Sequence, residues 1–166
     1  VWPSDNTDPF DRLSIEDGFS YAYTPAVMMA WVTDSPNWVN DRSTSLDYRF
    51  LSSMQGSLGI GANLLHWTPK DFAAAKKYVA DYKAIRASVQ QGKLYRLISP
   101  RDDSPHAVTE SVSQDGKQAG RGAGRQASQR KYPYPRVRLQ GLDPDARYRW
   151  RSLHGEPVAG TLAEAS

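Results

Sequence analysis

A chain of 166 residues with 39% apolar side chains, five Trp, nine Tyr and four Phe is long enough for one domain or one and a half, and too aromatic for wholesale disorder. It has no cysteine, which excludes disulfides and thiolate metal sites and leaves the compartment open, with the cytoplasm as the expectation. The net charge of +3 is divided unevenly: residues 1–92 carry 8 basic and 10 acidic side chains, whereas residues 93–166 carry 13 and 8. Two unlike units fit that asymmetry better than one nucleic-acid binder does. No apolar run approaches the roughly 20 residues that span a bilayer, and nothing resembles a signal peptide. The chain opens on Val1 rather than Met, as expected of a processed protein or a piece of a longer one.

Its first thirteen residues, VWPSDNTDPFDRL, hold three carboxylates, Asp5, Asp8 and Asp11, flanked by Trp2 and Phe10. Asp8-Pro9 reads as a helix start, with Asp8 as N-cap and Pro9 at the first helical position. Phe10, Leu13 and Asp17 mark a short helix ending near Gly18. The apolar run 26–32, bounded by Pro25 and by residues 33–36, suits a strand buried on both faces, with a buried helix turn as the alternative. Residues 36–43 read as a loop in which Trp38 is costly to leave in water. Ser45 can cap a helix to Gln55 with Leu46, Phe50 and Met54 on its apolar stripe. Residues 56–64, GSLGIGANL, alternate small with apolar residues, as in a thin strand where backbones crowd or a helix-to-strand turn. Thr68-Pro69-Lys70-Asp71 opens a long helix closed by Gly92. Phe72, Ala75, Val79, Tyr82, Ile85 and Val89 recur on it at steps of three or four, and Lys76, Lys77, Lys83 and Arg86 form its solvated face. Strands alternating with helices mean parallel α/β units. Asp5, Asp34 and Asn63 each stand just after an apolar or strand-like segment, where such folds gather functional residues.

The second half changes character. Residues 94–98, 107–108, 136–139 and 147–150 are short alternating stretches separated by Gly, Pro and Asp, the pattern of an antiparallel β-sandwich. Residues 117–131 do not fit it. They carry five positive charges, no acid and no apolar side chain larger than Ala over 119–128, so they are expected to be disordered or aberrant.

Three carboxylates so close persist when solvated, paired, bound to a cation or tuned for proton transfer. A cap and helix dipole account for Asp8 and Asp11 but leave Asp5 and Trp2 unexplained. The segment Trp2-Pro3-Ser4-Asp5-Asn6-Thr7-Asp8-Pro9-Phe10-Asp11-Arg12-Leu13 resembles the acid/base segment W-x-S-D-N-T-D-x-x-x-R-L of bacterial α-galactosidases of glycoside hydrolase family 36. Residues 56–64 resemble that family's last barrel-strand region, and residues 82–86 its last barrel helix. Residues 92–97 and 139–144 resemble strands of its C-terminal β-domain.

The resemblance implies that residues 1–92 are the last part of a (β/α)8 barrel and residues 93–166 a C-terminal antiparallel β-domain. It implies retaining hydrolysis of terminal α-linked galactose from galactosides of the melibiose or raffinose type, with Asp5 as general acid/base. Trp2, Ser4 and Asn6 become candidates for substrate contact. Asp8 and Arg12 become structural support, with Arg12 expected to pair with Asp8 or Asp11. No cofactor, metal, nucleic acid or membrane is implied, and the full-length parent is expected to be a homo-oligomer. The family's nucleophile is an aspartate of an earlier barrel strand that nothing here matches, so the isolated chain is expected to be inactive. Two rival readings remain. One is a carboxylate site for Mg²⁺ or Ca²⁺ built on Asp5, Asn6 and Asp8, which lacks the usual loop spacing. The other is a non-catalytic carbohydrate- or nucleic-acid-binding module using Trp31, Trp38 and Trp67 or the Arg-rich tract. His66, His106 and His154 have no ligand-like spacing, which leaves zinc and a Ser-His-Asp triad without support.

Overall fold

In a computed structural model of the chain, residues 1–102, 104–125, 135–153 and 159–162 are described. Helix α1 runs over Pro9–Phe19, and the Asp8 side chain caps it by accepting from the Asp11 backbone N–H. A 3-10 turn, Pro25–Val27, leads into strand β1, Met29–Val32. Pro25 sets that turn, so the strand begins later than the apolar run does. Helix α2, Leu46–Ser53, is capped by Ser45, and strand β2, Ser57–Ile60, follows it. Helix α3, Pro69–Gln91, opens on a complete capping box in which Thr68 and Asp71 each accept from the other's backbone N–H.

Strands β1 and β2 pair in parallel, Ala30 opposite Leu58 and Val32 opposite Ile60, joined by a crossover through α2 as a parallel pair requires. Ala30 and Val32 are fully buried, whereas Met29 is 36% exposed; β1 is therefore buried on one face rather than two. The core between the strands and helices collects Val32, Phe50, Met54, Ala75, Tyr78, Tyr82 and Val89. Phe50 and Tyr78 stack at 5.1 Å. On α3 the sequence stripe holds at Ala75, Tyr82 and Val89, but Tyr78 rather than the half-exposed Phe72 fills the core. The helix axis turns Phe72 aside, against Trp67 at 5.5 Å. The Tyr82 hydroxyl donates to the Gly56 carbonyl at 2.5 Å and accepts from the Leu58 N–H at 3.3 Å, tying α3 to the start of β2. Gly56 is needed there, because a methyl group would stand 2.8 Å from the Met28 carbonyl oxygen.

The second part is antiparallel. Strands β3, Lys93–Ile98, β4, His106–Val112, and β5, Ala119–Arg125, form one sheet in the order β3-β4-β5. Strands β6, Tyr148–Arg151, and β7, Ala159–Leu162, form a separate two-stranded ladder. Two expectations change. Residues 136–139 are not a strand; Gln140 instead donates its N–H to the Glu110 carboxylate at 2.8 Å. The other concerns residues 119–125, expected to lack order, which pair along their length with β4; residues 126–131 of that tract lie outside the described residues. The glycines explain the strand. Gly120, Gly122 and Gly124 face Ile85, Gln55 and Leu13 from α3, the end of α2 and α1, and a methyl at Gly124 would lie 2.4 Å from a Leu13 methyl. Side chains arriving from the helices fill the space that β5 leaves open, so this strand can approach closely with no apolar side chain of its own larger than Ala. Arg96 of β3 donates to the Ser20 hydroxyl at 3.0 Å and Ser99 donates to Asp17 at 2.9 Å, which join the sheet to the end of α1.

Candidate active site

The segment ahead of α1 is built from short-range hydrogen bonds that its Ser, Asn and Asp residues make to nearby backbone. The Val1 carbonyl accepts the Met29 N–H at 3.0 Å, which sets the chain beside β1. Asp5 then stands exposed on a bend. Asn6 donates its N–H to Ser4 Oγ at 3.0 Å, its Oδ1 accepts the Asp8 N–H at 2.9 Å, and its Nδ2 donates to Asp11 at 2.9 Å. Ser4 and Asn6 are thus engaged in shaping the turn around Asp5. Trp2 is half exposed and meets Trp31 of β1 edge-on, 4.5 Å between ring centres.

The three carboxylates have different fates. Asp8 is fully buried, caps α1 and pairs with Arg42, while Asp11 lies 3.4 Å from the same guanidinium. Arg42 also lies over the Phe10 ring at 4.9 Å, and that ring stacks on Tyr48. Burial, with the Asp8 charge beside it, pushes the Tyr48 phenol above its usual range. A cation site shared by Asp5 and Asp8 therefore loses Asp8 to the cap and to Arg42. Asp5 stands out to solvent, outside these pairs.

Arg12 does not pair with Asp8 or Asp11. It is 1% exposed, pairs with Glu16 at 2.9 Å, and donates to the carbonyls of Asn6 at 3.2 Å and Met29 at 2.7 Å. Helix geometry decides this: Glu16, four residues on, lies on the same buried face, whereas Asp11 points toward solvent and Arg42. One buried guanidinium links the Asp5 turn, α1 and β1. Burial pushes Glu16 up to about 7, against the opposing pull of Arg12, and its second oxygen has no protein partner among the described residues. Its unfolded value is lower, so the native state binds more protons in the interval and this group's contribution to stability falls as pH rises from about 4.5 to about 7. Urea unfolding should show that fall, and Glu16→Gln should flatten it. An unchanged slope in the variant would exclude Glu16 as the cause.

Sequence reading missed Asn37, Thr7, Thr33 and Arg42. Asn37, 1% exposed, donates its Nδ2 to Thr7 Oγ1 at 3.0 Å, and Thr33 Oγ1 donates to the Thr7 carbonyl at 3.0 Å. Pro36-Asn37 reads as turn punctuation, and nothing in the sequence marks Arg42 as the partner of a residue 34 positions away. Asp34 and Asn63 do meet, the Asp34 carboxylate accepting the Asn63 N–H at 3.0 Å. The carboxyl ends of β1 and β2 and the Asp5 turn are joined along one edge by these bonds. Of the candidate aromatic platform, Trp31 is packed against Trp2 and Trp67 lies against the core. Trp38 is 73% exposed.

A family model, Melibiase, matches residues 1–92, the whole of this α/β part. The chain belongs to the Melibiase family. The model of the glycosyl hydrolase family 36 C-terminal domain matches residues 106–164. Among curated relatives, α-galactosidase Mel36A of Lactobacillus acidophilus is 33% identical over 162 residues, 96% of this chain and 21% of that protein. Among solved structures, a variant of the α-galactosidase AgaA of Geobacillus stearothermophilus in complex with 1-deoxygalactonojirimycin superposes with a TM-score of 0.82 at 34% identity, covering 88% of this chain and 20% of that one. A variant of AgaA in complex with stachyose gives 0.81 at 35% identity, covering 87% and 20%. The chain spans about a fifth of the length of these relatives. The family resemblance carried by residues 2–13 therefore holds.

Proposed function

We propose that this chain supplies Asp5 as the general acid/base of a retaining glycoside hydrolase that releases terminal α-linked galactose from oligosaccharides. The observation that carries the reading is the isolation of Asp5: Asp8 and Asp11 share the guanidinium of Arg42, while Asp5 is presented to solvent close to Trp2 on a turn that Arg12 fastens from beneath. In the first step Asp5 gives its proton to the glycosidic oxygen as the bond to the anomeric carbon breaks and a carboxylate nucleophile bonds that carbon. In the second step the ionised Asp5 takes a proton from water as the water oxygen displaces the nucleophile. One carboxylate must therefore gain and lose a proton in each cycle, which suits a group in contact with solvent and with no cation partner among the described residues.

The partly exposed face of Trp2, braced by Trp31, offers an apolar surface to the sugar ring. Residues 1–92 act as the last units of a parallel (β/α)8 barrel, because β1 and β2 bury only one face of β1 between them and need further strands and helices to complete it. Residues 93–166 act as the appended antiparallel domain. The AgaA complex with stachyose favours an α-galactosyl oligosaccharide as the substrate class. The nucleophile belongs to a segment outside this chain, so the two catalytic carboxylates meet only in the complete enzyme. The purified 166-residue chain should release no nitrophenol from nitrophenyl α-galactoside, whereas a complete enzyme carrying it should. Turnover by the isolated chain that disappears in Asp5→Asn would overturn the division of the pair.

A further inference from the structure

We infer that Asn37 and Thr7 form a clasp that positions the acid/base, so that the loop after β1 is a catalytic support rather than a passive connection; this rests on the reading of Asp5 given above. Asn37 is a buried polar residue whose groups are all directed. Its N–H donates to the Arg42 carbonyl at 2.9 Å, its carbonyl accepts the Asp41 N–H at 2.8 Å, and its Oδ1 accepts the Val39 N–H at 2.9 Å. These bonds close the loop on itself. Asp41 adopts a positive φ of 54° within it, a conformation that Asp tolerates better than most residues. The side-chain amide nitrogen points out of the loop and donates to Thr7 Oγ1 at 3.0 Å.

Thr7 is held twice, since its carbonyl accepts the Thr33 hydroxyl at 3.0 Å. The same loop sends Arg42 to Asp8. Both residues that close the Asp5 turn on its helix side are thus fastened to residues 33–42, while Asp5 itself is on an exposed bend without regular secondary structure. A general acid has to place its proton within hydrogen-bond reach of the leaving oxygen, and a displacement of about 1 Å can cost about 10²-fold in rate. The position of Asp5 along the sugar therefore follows from where Thr7 is pinned. The contact is also replaceable without changing shape: Val has the outline of Thr and lacks only the acceptor that Asn37 needs.

Leaving-group chemistry separates this role from a structural one. A galactosyl sugar such as stachyose must have its leaving oxygen protonated, whereas dinitrophenyl α-galactoside expels a phenolate stable enough to depart unaided. Because kcat/KM reports the steps up to the first bond cleavage, it isolates the acid role from the later base role. In a complete enzyme carrying this chain, Thr7→Val and Asn37→Ala should each lower kcat/KM on stachyose by about tenfold or more. On the dinitrophenyl substrate the loss should be under about threefold, and Thr7→Ser, which retains the hydroxyl, should recover most of the stachyose activity. The double variant should be no worse than the poorer single one, as expected for two halves of one contact. Equal losses on both substrates would overturn the clasp, as would a Thr7→Ser as impaired as Thr7→Val. If Asn37→Ala fails to fold, the Thr7 pair decides alone. Asp5→Ala run alongside distinguishes the two claims: without a leaving-group dependence of its own, the acid/base reading falls and the clasp with it.

Discussion

Asp5→Ala in a complete enzyme carrying this chain should lower kcat/KM on a galactosyl sugar by about 10²–10⁴-fold, the usual range for removing a general acid. The reason is specific to this carboxylate. Its two neighbours are already committed, Asp8 to the cap of α1 and to Arg42, and Asp11 to Asn6 and Arg42. Neither is free to take the place of Asp5. Fold stability should be little affected, since Asp5 is exposed and takes no part in the core. With a substrate whose leaving group needs no proton, the variant should form its glycosyl intermediate normally and then stall, because no base remains to activate water. Azide, already anionic, attacks without such help and should restore turnover while yielding galactosyl azide. Turnover of the variant at the wild-type rate, or the absence of any azide effect, would remove Asp5 from this role.

Arg12→Met should destabilise the fold by about 3–5 kcal/mol, as expected when one member of a buried ion pair is removed and the other left behind. The guanidinium is 1% exposed and holds Glu16, the Asn6 carbonyl and the Met29 carbonyl together. Its loss therefore strands a carboxylate and two backbone acceptors at once. The stranded Glu16 takes up a proton more readily than the wild-type residue, so the destabilisation should be smaller at about pH 5 than at about pH 8. Adding Glu16→Leu should recover part of the loss by removing the buried carboxylate. Urea unfolding of the four combinations gives the coupling directly. A loss under about 1 kcal/mol, or one independent of pH, would show that Arg12 behaves as an ordinary surface arginine does.

The two variants bear on different links between sequence and function. Asp5 is expected to be dispensable to the fold and is proposed to be indispensable to the reaction. Arg12 touches no substrate in this reading, yet the Asp5 turn, α1 and β1 meet on its side chain. Loss of activity in Arg12→Met should accordingly track loss of folded protein, whereas loss in Asp5→Ala should not.

Local signals carried far in the first 92 residues. The Asp8-Pro9, Ser45 and Thr68-Pro69 starts were all legible, because a capping side chain acts on backbone within three residues of itself. So was the parallel pairing of β1 and β2, since apolar runs separated by a helix admit few other arrangements. The motif around Asp5 and the order of the later segments identified the family. What local signals missed were partners chosen by packing. Arg12 has three acids within reach in sequence, and only the helix face determines that Glu16 takes it. Arg42 reaches Asp8 and Asn37 reaches Thr7 across gaps of 34 and 30 residues, and nothing in either neighbourhood announces it.

Residues 119–125 set the limit most clearly. Read locally, a tract of Gly, Ala and Arg has no side chain to bury and every reason to stay unordered. In the fold, β4 supplies its hydrogen bonds and Leu13, Gln55 and Ile85 supply the apolar and polar atoms that it lacks. The sequence by itself determined the helix starts, the parallel α/β character of the first part, the family and the exposed carboxylate proposed to do its chemistry, because each depends on residues close along the chain. Only the tertiary structure decided which cations pair with which acids, why Asp5 is left outside those pairs, and that a strand can be ordered by its neighbours' side chains. Those outcomes depend on which surfaces meet, and that is fixed by packing between segments distant in sequence.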